Sequence, residues 1–363
     1  MSDSNKNVLM PVSVRLLYDG MVVHDDVYDA DGEMLLIRSG NTLDADQIER
    51  IHRINKGRDT IYVTGRTHQT MVSKRPNIDI DSRSEVEKNT GYTEFKDSAS
   101  KLLEGVADKK SINQESLNTV AGAISDRVVS TPPDVVMSLI NSMAPVDEYL
   151  QRHSVNVGML NGLIGQWMGL DRAQIDKLAL IGLLHDCGNT FMPPSVLTAP
   201  RKLTLVEYEV IKMHTIHTYE LLSDFPEDVR LAASSHHERL DGSGYPKGLS
   251  GDAIPLEARI TAISDIYDAM VSKRVFKAPH SPFAVLALLN TLCPAALDSK
   301  LVSIFKENLP KELIDKPVTM SDGTIGIIRE IDYDDIEYPR VEQSKRIVKT
   351  NTALHCVSMY TDE

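Results

Sequence analysis

His185 and Asp186 stand side by side after an apolar run, Ile181-Gly182-Leu183-Leu184, and before Cys187-Gly188-Asn189. Packing gives no reason for them, because imidazole and carboxylate both demand polar partners in an otherwise apolar helix that breaks at a glycine. Metal coordination does give one, since neutral imidazole and carboxylate readily share divalent cations. A lone His-Asp pair carries little weight, and its company decides. Of the eleven histidines, seven lie between His153 and His280. His153, His214, His236 and His237, together with Asp265, fall near the middles or ends of separate helical patterns. A helical bundle can aim such residues at one interior point. With His185 and Asp186 they make seven candidate ligands, too many for one ion and suited to two ions sharing Asp186 as a bridge. Nitrogen and carboxylate donors without clustered thiolates favour iron or manganese over zinc.

Each residue taken singly has a plainer reading. His153 fits an exposed helix position and His217 a surface one, or one just behind the ligands. His236-His237 beside Glu238 fits a polar helix end. Asp265 fits a solvated charge, although Ile263 and Ile266 flank it. The joint arrangement is stronger than any member.

Helices must position these groups, and the pattern supplies them. Apolar periodicity predicts helices over about 93–108, 113–128, 134–142, 146–168 and 175–184. Thr204-Leu205-Val206-Glu207 is a capping-box pattern opening a helix to about Ser223. Further helices are expected from Pro226 to His237 and from Glu257 to Lys273, the latter with Ile260, Ile263, Tyr267 and Met270 as its apolar set. Helices over Pro282–Leu292 and Lys300–Asn308 complete the bundle. Ahead of it, residues 1–65 read as a small α/β accessory unit. Asp31-Gly32 turns a hairpin between Val22-Val23 and Met34–Ile37, a helix carries Ile48, Ile51 and Ile54, and Thr60–Val63 closes the unit. No catalytic cluster lies there, so the expected role is interaction with signalling proteins or regulation. Residues 66–91 read as a polar linker, 92–309 as the helical domain with upstream connector helices, and 310–363 as a β-rich tail. In that tail a hairpin forms around Ser321-Asp322-Gly323 and a last strand runs over His355–Met359. The segment from Tyr92 to Ala144 is a candidate connector for a homodimer. The fold class expected is therefore mainly α, with a small α/β unit before the bundle and a small β-rich tail after it.

The composition narrows the function. In 363 residues, 42% hydrophobic and 25% charged content is that of an ordinary globular chain. A net charge of −13 opposes bulk attraction to DNA or anionic lipid. No run approaches a membrane span and the polar N-terminus does not read as a signal peptide, so no membrane association is expected. The three scattered cysteines, Cys187, Cys293 and Cys356, fit a reducing cytoplasm better than a disulfide framework.

The order His153, His185-Asp186, His214, His236-His237-Glu238, Asp241-Gly242-Ser243-Gly244-Tyr245-Pro246 and Asp265-Ile266-Tyr267-Asp268-Ala269 resembles the HD-GYP family. That family is a branch of the HD phosphohydrolases that hydrolyses the bacterial messenger cyclic di-GMP. The match covers about residues 130–310. It implies an HD-type helical bundle, a metal-dependent phosphodiesterase, and His153, His185, Asp186, His214, His236, His237 and Asp265 as ligands to two divalent ions. It implies Gly244, Tyr245 and Pro246 as a wall over the substrate, and Arg274 and Lys277 as the cations that hold phosphate. A hydroxide between the ions is then expected to open one phosphodiester of cyclic di-GMP, or of the mixed cyclic GMP-AMP dinucleotide. Linear pGpG would be the first product from cyclic di-GMP and GMP a further one. No organic cofactor is expected.

Two departures from the family pattern matter. Many members carry lysine three residues after the aspartate of the pair; here that position is Asn189, which donates hydrogen bonds but brings no charge. Lys202 in the following loop is the candidate replacement. Members with a third metal carry glutamate four residues before the first histidine; here Tyr149 stands there, which predicts two ions. The rival reading is a catalytically weak or inactive domain that senses a cyclic dinucleotide.

Overall fold

The computed structural model of the protein describes residues 8–13, 23, 26–29, 31–54, 60–65, 114–141, 149–197, 199, 201, 203–272 and 279–359. The chain divides into two compact units, Met1–Ile80 and Asp81–Glu363.

In the first unit four strands, β1 (Val8–Ser13), β2 (Val27–Tyr28), β3 (Leu35–Ile37) and β4 (Thr60–Gly65), form an antiparallel sheet in the order β1-β4-β2-β3. Helix α1 (Ala45–Ile54) sits between β3 and β4 in sequence. Val27, Ile37, Leu43, Ile51 and Ile61 make its small core. Asp31-Gly32 does turn a hairpin, but the strand before it is β2 rather than Val22-Val23. The Asp29 carboxylate sets that register by accepting from the Glu33 and Met34 amides at 2.9 and 3.2 Å. The expected linker over 66–91 and the helix over 93–108 lie outside the described residues.

The second unit is built around α4 (Tyr149–Trp167), whose Val155, Val157, Met159, Leu160, Leu163 and Ile164 are all buried. With buried residues on every side, this helix lies at the centre of the bundle. Around it stand α2 (Gln114–Ser130), α3 (Pro133–Asn141), α5 (Arg172–Leu184), the short α6 (Pro194–Leu197), α7 (Leu205–Leu221), α8 (Glu227–Ser234), α9 (Leu256–Val271), α10 (Pro282–Thr291) and α11 (Ser299–Asn308). Two reciprocal capping boxes fix where site-bearing helices begin, Asp171 with Gln174 on α5 and Thr204 with Glu207 on α7. Helices α4 and α5 approach closely where Gly158 meets Gly182. A Cβ on Gly182 would lie 2.7 Å from the Gly158 backbone.

Five strands close the unit: β5 (Pro317–Met320), β6 (Ile325–Glu330), β7 (Arg340–Gln343), β8 (Arg346–Lys349) and β9 (Cys356–Met359), in the antiparallel order β8-β7-β6-β5-β9. Val318, Met320, Ile328, Val341 and Cys356 belong to the same apolar core as the helices. The β7–β8 hairpin went unread in the sequence. Its two-residue turn, Ser344-Lys345, has both residues at positive φ, 52° and 64°, without the Asn or Gly that usually marks such a turn. Among the described residues no helix is long and apolar enough to cross a membrane.

Candidate metal centre

Five helical segments deliver the seven side chains singled out above to one point. His153 comes from α4, His214 from α7 and Asp265 from α9, while His185-Asp186 and His236-His237 follow the ends of α5 and α8. The expected helix through His185 stops at Leu184, and the expected helix to His237 stops at Ser234. The break therefore comes at the His-Asp pair and not at Gly188. Gly188 serves a close approach instead: a Cβ there would lie 2.0 Å from the His214 carbonyl oxygen. Its amide bonds Thr218 Oγ1 at 3.0 Å, which seats the turn after Asp186 on α7.

The histidines are oriented by one repeated device. His185, His214 and His236 each donate Nδ1–H to the carbonyl three residues earlier, at Gly182 (2.7 Å), Ile211 (2.6 Å) and Ala233 (2.8 Å). For His185 and His236 that carbonyl belongs to a last helical turn, where intrahelical partners run out. The ring thus caps the helix and is fixed as the tautomer with its Nε2 lone pair free. His153 is held differently. Its Nδ1 lies 2.7 Å from Asp268 Oδ2, and Asp268 Oδ1 accepts from Asn156 Nδ2 at 2.8 Å.

The Nε2 atoms then surround Asp186. Its Oδ1 lies 3.3 Å from His214 Nε2 and 3.8 Å from His236 Nε2, and its Oδ2 lies 3.6 Å from His185 Nε2 and 3.8 Å from His153 Nε2. Each carboxylate oxygen faces a different pair of imidazoles. Asp265 completes one side, 3.2 Å from His153 Nε2, and its other oxygen is 4.0 Å from His237 Nδ1. Among the described residues three groups have the spacing to hold a metal ion: His153 with His185 and Asp265, His214 with His236 and His237, and His185 with Asp186 and His236.

Electrostatics favours ligating protonation states. Burial pushes His185 and His236 below the ordinary imidazole value and His237 down to about 3, so these rings are neutral. Burial alone would raise the carboxyls of Asp186 and Asp265, but the attraction of any surrounding imidazole that takes up a proton, and at Asp265 the hydrogen bond from His153, hold both below the usual carboxylate range. Ionised carboxylates beside neutral imidazoles are the forms that bind metal. His185 Nε2 is fully buried with no hydrogen-bond partner. A buried acceptor left without a proton is costly in a folded protein, and a cation among these donors satisfies it. The residues fit a divalent metal.

Beyond the ring lies the Asp241–Pro246 loop. Tyr245 stacks on His237 with ring centroids 4.6 Å apart, and its amide bonds the His237 carbonyl at 3.2 Å. Burial raises its phenol far above the usual value, so it remains a neutral donor. The buried carboxylate of Glu238 accepts from the Lys247 and Leu249 amides at 2.7 and 2.9 Å and pins this loop from behind. Asn189 occupies the 3-10 turn directly after Asp186 and is half-buried. Lys202, Arg274 and Lys277 lie outside the described residues. His217 stands off the centre against Phe191, with centroids 5.1 Å apart.

Residues 134–300 match the family model described as an HD domain. Over those residues the chain carries an HD domain. The cyclic di-GMP phosphodiesterase response regulator of Xanthomonas campestris is 46% identical to this chain over 132 residues, which is 35% of each chain. A cyclic di-GMP phosphodiesterase of Thermotoga maritima is 34% identical over 185 residues, half of each. The chain thus spans half or less of the length of these curated relatives. A solved HDG"Y"P protein of Bdellovibrio bacteriovorus superposes with a TM-score of 0.52 at 17% identity, over 84% of this chain and 100% of its own, which shows a shared fold. The HD domain here owes its Asp268, Asn156 and Glu238 supports to residues that the sequence reading gave no role. For Asp268 a signal existed: it lies three residues after Asp265 on an apolar helix, and so on the same face.

Proposed function

We propose that this protein is a metal-dependent phosphodiesterase that hydrolyses cyclic di-GMP to linear pGpG. The observation that carries the reading is Asp186, whose two oxygens face separate histidine pairs as a bridging carboxylate does. His153, His185 and Asp265 would hold one ion, His214, His236 and His237 the other, and Asp186 both. The cyclic di-GMP phosphodiesterases among its relatives supply the substrate class. Divalent iron or manganese bound there supplies Lewis acidity toward a phosphodiester and lowers the pKa of water.

The chain's own residues do the rest. Asp268 keeps the proton on His153 Nδ1 and so keeps Nε2 available. Tyr245, braced on His237, offers a neutral O–H and an aromatic face at the rim of the centre. Gly244 and Pro246 shape that wall. Arg274 and Lys277 orient the phosphates, and Lys202 supplies the charge that Asn189 lacks. Asn189 donates hydrogen bonds to a phosphate oxygen without giving up a proton, so the departing ribose oxygen gains no acid from it. The N-terminal α/β unit serves signalling partners.

The test is full-length protein loaded anaerobically with Fe(II) or Mn(II) and assayed for pGpG, with the mixed cyclic GMP-AMP dinucleotide in parallel. Two ions per chain and pGpG formation are expected, and Asp186→Ala should lose both. A metal-loaded, fully active Asp186→Ala protein would refute the assignment. Asn189 favours a second reading, a cyclic-dinucleotide sensor; tight binding without product under both metals would establish it.

A further inference from the structure

Arg152 directly precedes His153 on α4, yet its side chain serves a different place. It is only 5% exposed, and its Nε has no hydrogen-bond partner. Among the described residues no carboxylate forms an ion pair with it. A guanidinium keeps its charge at any working pH. A buried charge without a counterion is so unfavourable that folded proteins pair such groups with an opposite charge.

What Arg152 does face is a cavity of about 230 Å³. Its lining includes the polar residues Asn141, Ser272 and Ser358 and the apolar residues Ile140 and Met359. Amide and hydroxyl groups add donors for an oxyanion beside the guanidinium fork, and no acidic residue is part of the described wall. The volume suits a small molecule rather than a dinucleotide.

We infer that this cavity is an anion-binding site for a small molecule bearing a phosphate or carboxylate. Arg152 grips the oxyanion, and the body of the ligand rests on Ile140 and Met359. The site stands independently of the phosphodiesterase reading. Its wall joins the end of α3, α4, the residue after α9, and β9, so a ligand there links the C-terminal sheet to the bundle. It is also linked to the metal centre through Asp268. The Ser272 amide bonds the Asp268 carbonyl at 3.0 Å, and the Asp268 side chain holds His153.

The experiment is calorimetric titration of the full chain with inorganic phosphate and, separately, with propionate. Wild type, Arg152→Met and Asp186→Ala are compared, each also melted in anion-free buffer. Wild type and Asp186→Ala should bind at least one of the two anions equally well. Arg152→Met should bind it at least tenfold more weakly. Which anion binds identifies the ligand's acidic group. Should Arg152→Met fail to fold, Arg152→Lys, which keeps the charge and loses the fork, should weaken binding at least threefold. Undiminished binding by the Arg152 variant overturns the inference, as does failure of wild type to bind either anion. So does binding lost in Asp186→Ala and kept in Arg152→Met, which would place the anion at the metal centre.

Discussion

His153 Nδ1 and Asp268 Oδ2 are 2.7 Å apart and buried, and the other oxygen of Asp268 takes the amide of Asn156 one turn along the same helix. Two residues of α4 spaced by three thus meet one carboxylate of α9. Asp265, three residues earlier on α9, faces the opposite nitrogen of the same histidine at 3.2 Å. The His153 ring is clamped between two carboxylates, one aimed into the centre and one behind it.

Asp268→Ala should therefore weaken metal binding by about 10–100-fold while the seven central side chains remain. Asp268→Asn, which keeps an acceptor for one of the two donors, should fall between. Metal titration monitored by competition with a chelator measures this. Equal affinities for all three proteins would show that Asp268 does not position His153.

The Gly182–Gly158 approach makes a different prediction. Gly182→Ala places a methyl group against backbone that has no flexible end to move, so α4 and α5 must separate. Overpacking of this kind costs about 1–3 kcal/mol. Urea unfolding should show that loss, with metal content reduced because α4 carries His153 and α5 leads into His185. A variant as stable as wild type would mean that the two helices slide apart freely.

Glu207 gives a prediction in pH. Its carboxyl sits at about 2, against an ordinary 4.5, first because the Arg201 guanidinium bonds it and then because it caps the Thr204 amide. A depressed folded value means stabilisation that is complete above about 4.5 and lost as the pH falls toward 2. The stability gap between wild type and Glu207→Gln should be constant at neutral pH and close across that acid window. Because the pair is exposed, added salt should shrink it. A gap that widens on acidification would reverse the assigned sign.

Asn189→Lys restores a cation on the turn after Asp186. If the centre hydrolyses phosphodiesters, a single charge-stabilising group commands a large factor, and turnover should rise by about tenfold or more. Steady-state pGpG production compares the two proteins. Unchanged turnover with unchanged metal content would remove this position from the reaction.

The convergence of the seven candidate side chains was legible because histidine and aspartate have no packing reason to sit in apolar helices, and their five segments could be read one by one. What supports them was less visible. Asp268 is as polar as Asp265 and lies on the same face, so periodicity alone could not say which one points inward. The sequence predicts too long a helix before His236 because no Gly or Pro interrupts Ser234-Ser235-His236-His237. The backbone leaves the helix after Ser234, where the His236 ring takes the Ala233 carbonyl. The Ser344-Lys345 hairpin lacks turn residues, and Arg152 reads as a solvated helix charge until its burial is known.

The shared core of bundle and C-terminal sheet has a consequence for how the protein is made. Val318, Val341 and Cys356 pack into the same cluster as Leu117, Leu160 and Phe283. During synthesis at about 5–20 residues per second, the His153–Asp265 segment leaves the ribosome well before Cys356 does. For those seconds the bundle carries all seven candidate ligand side chains, while the apolar surface meant for the sheet is still open to water. Chaperones would find their target there.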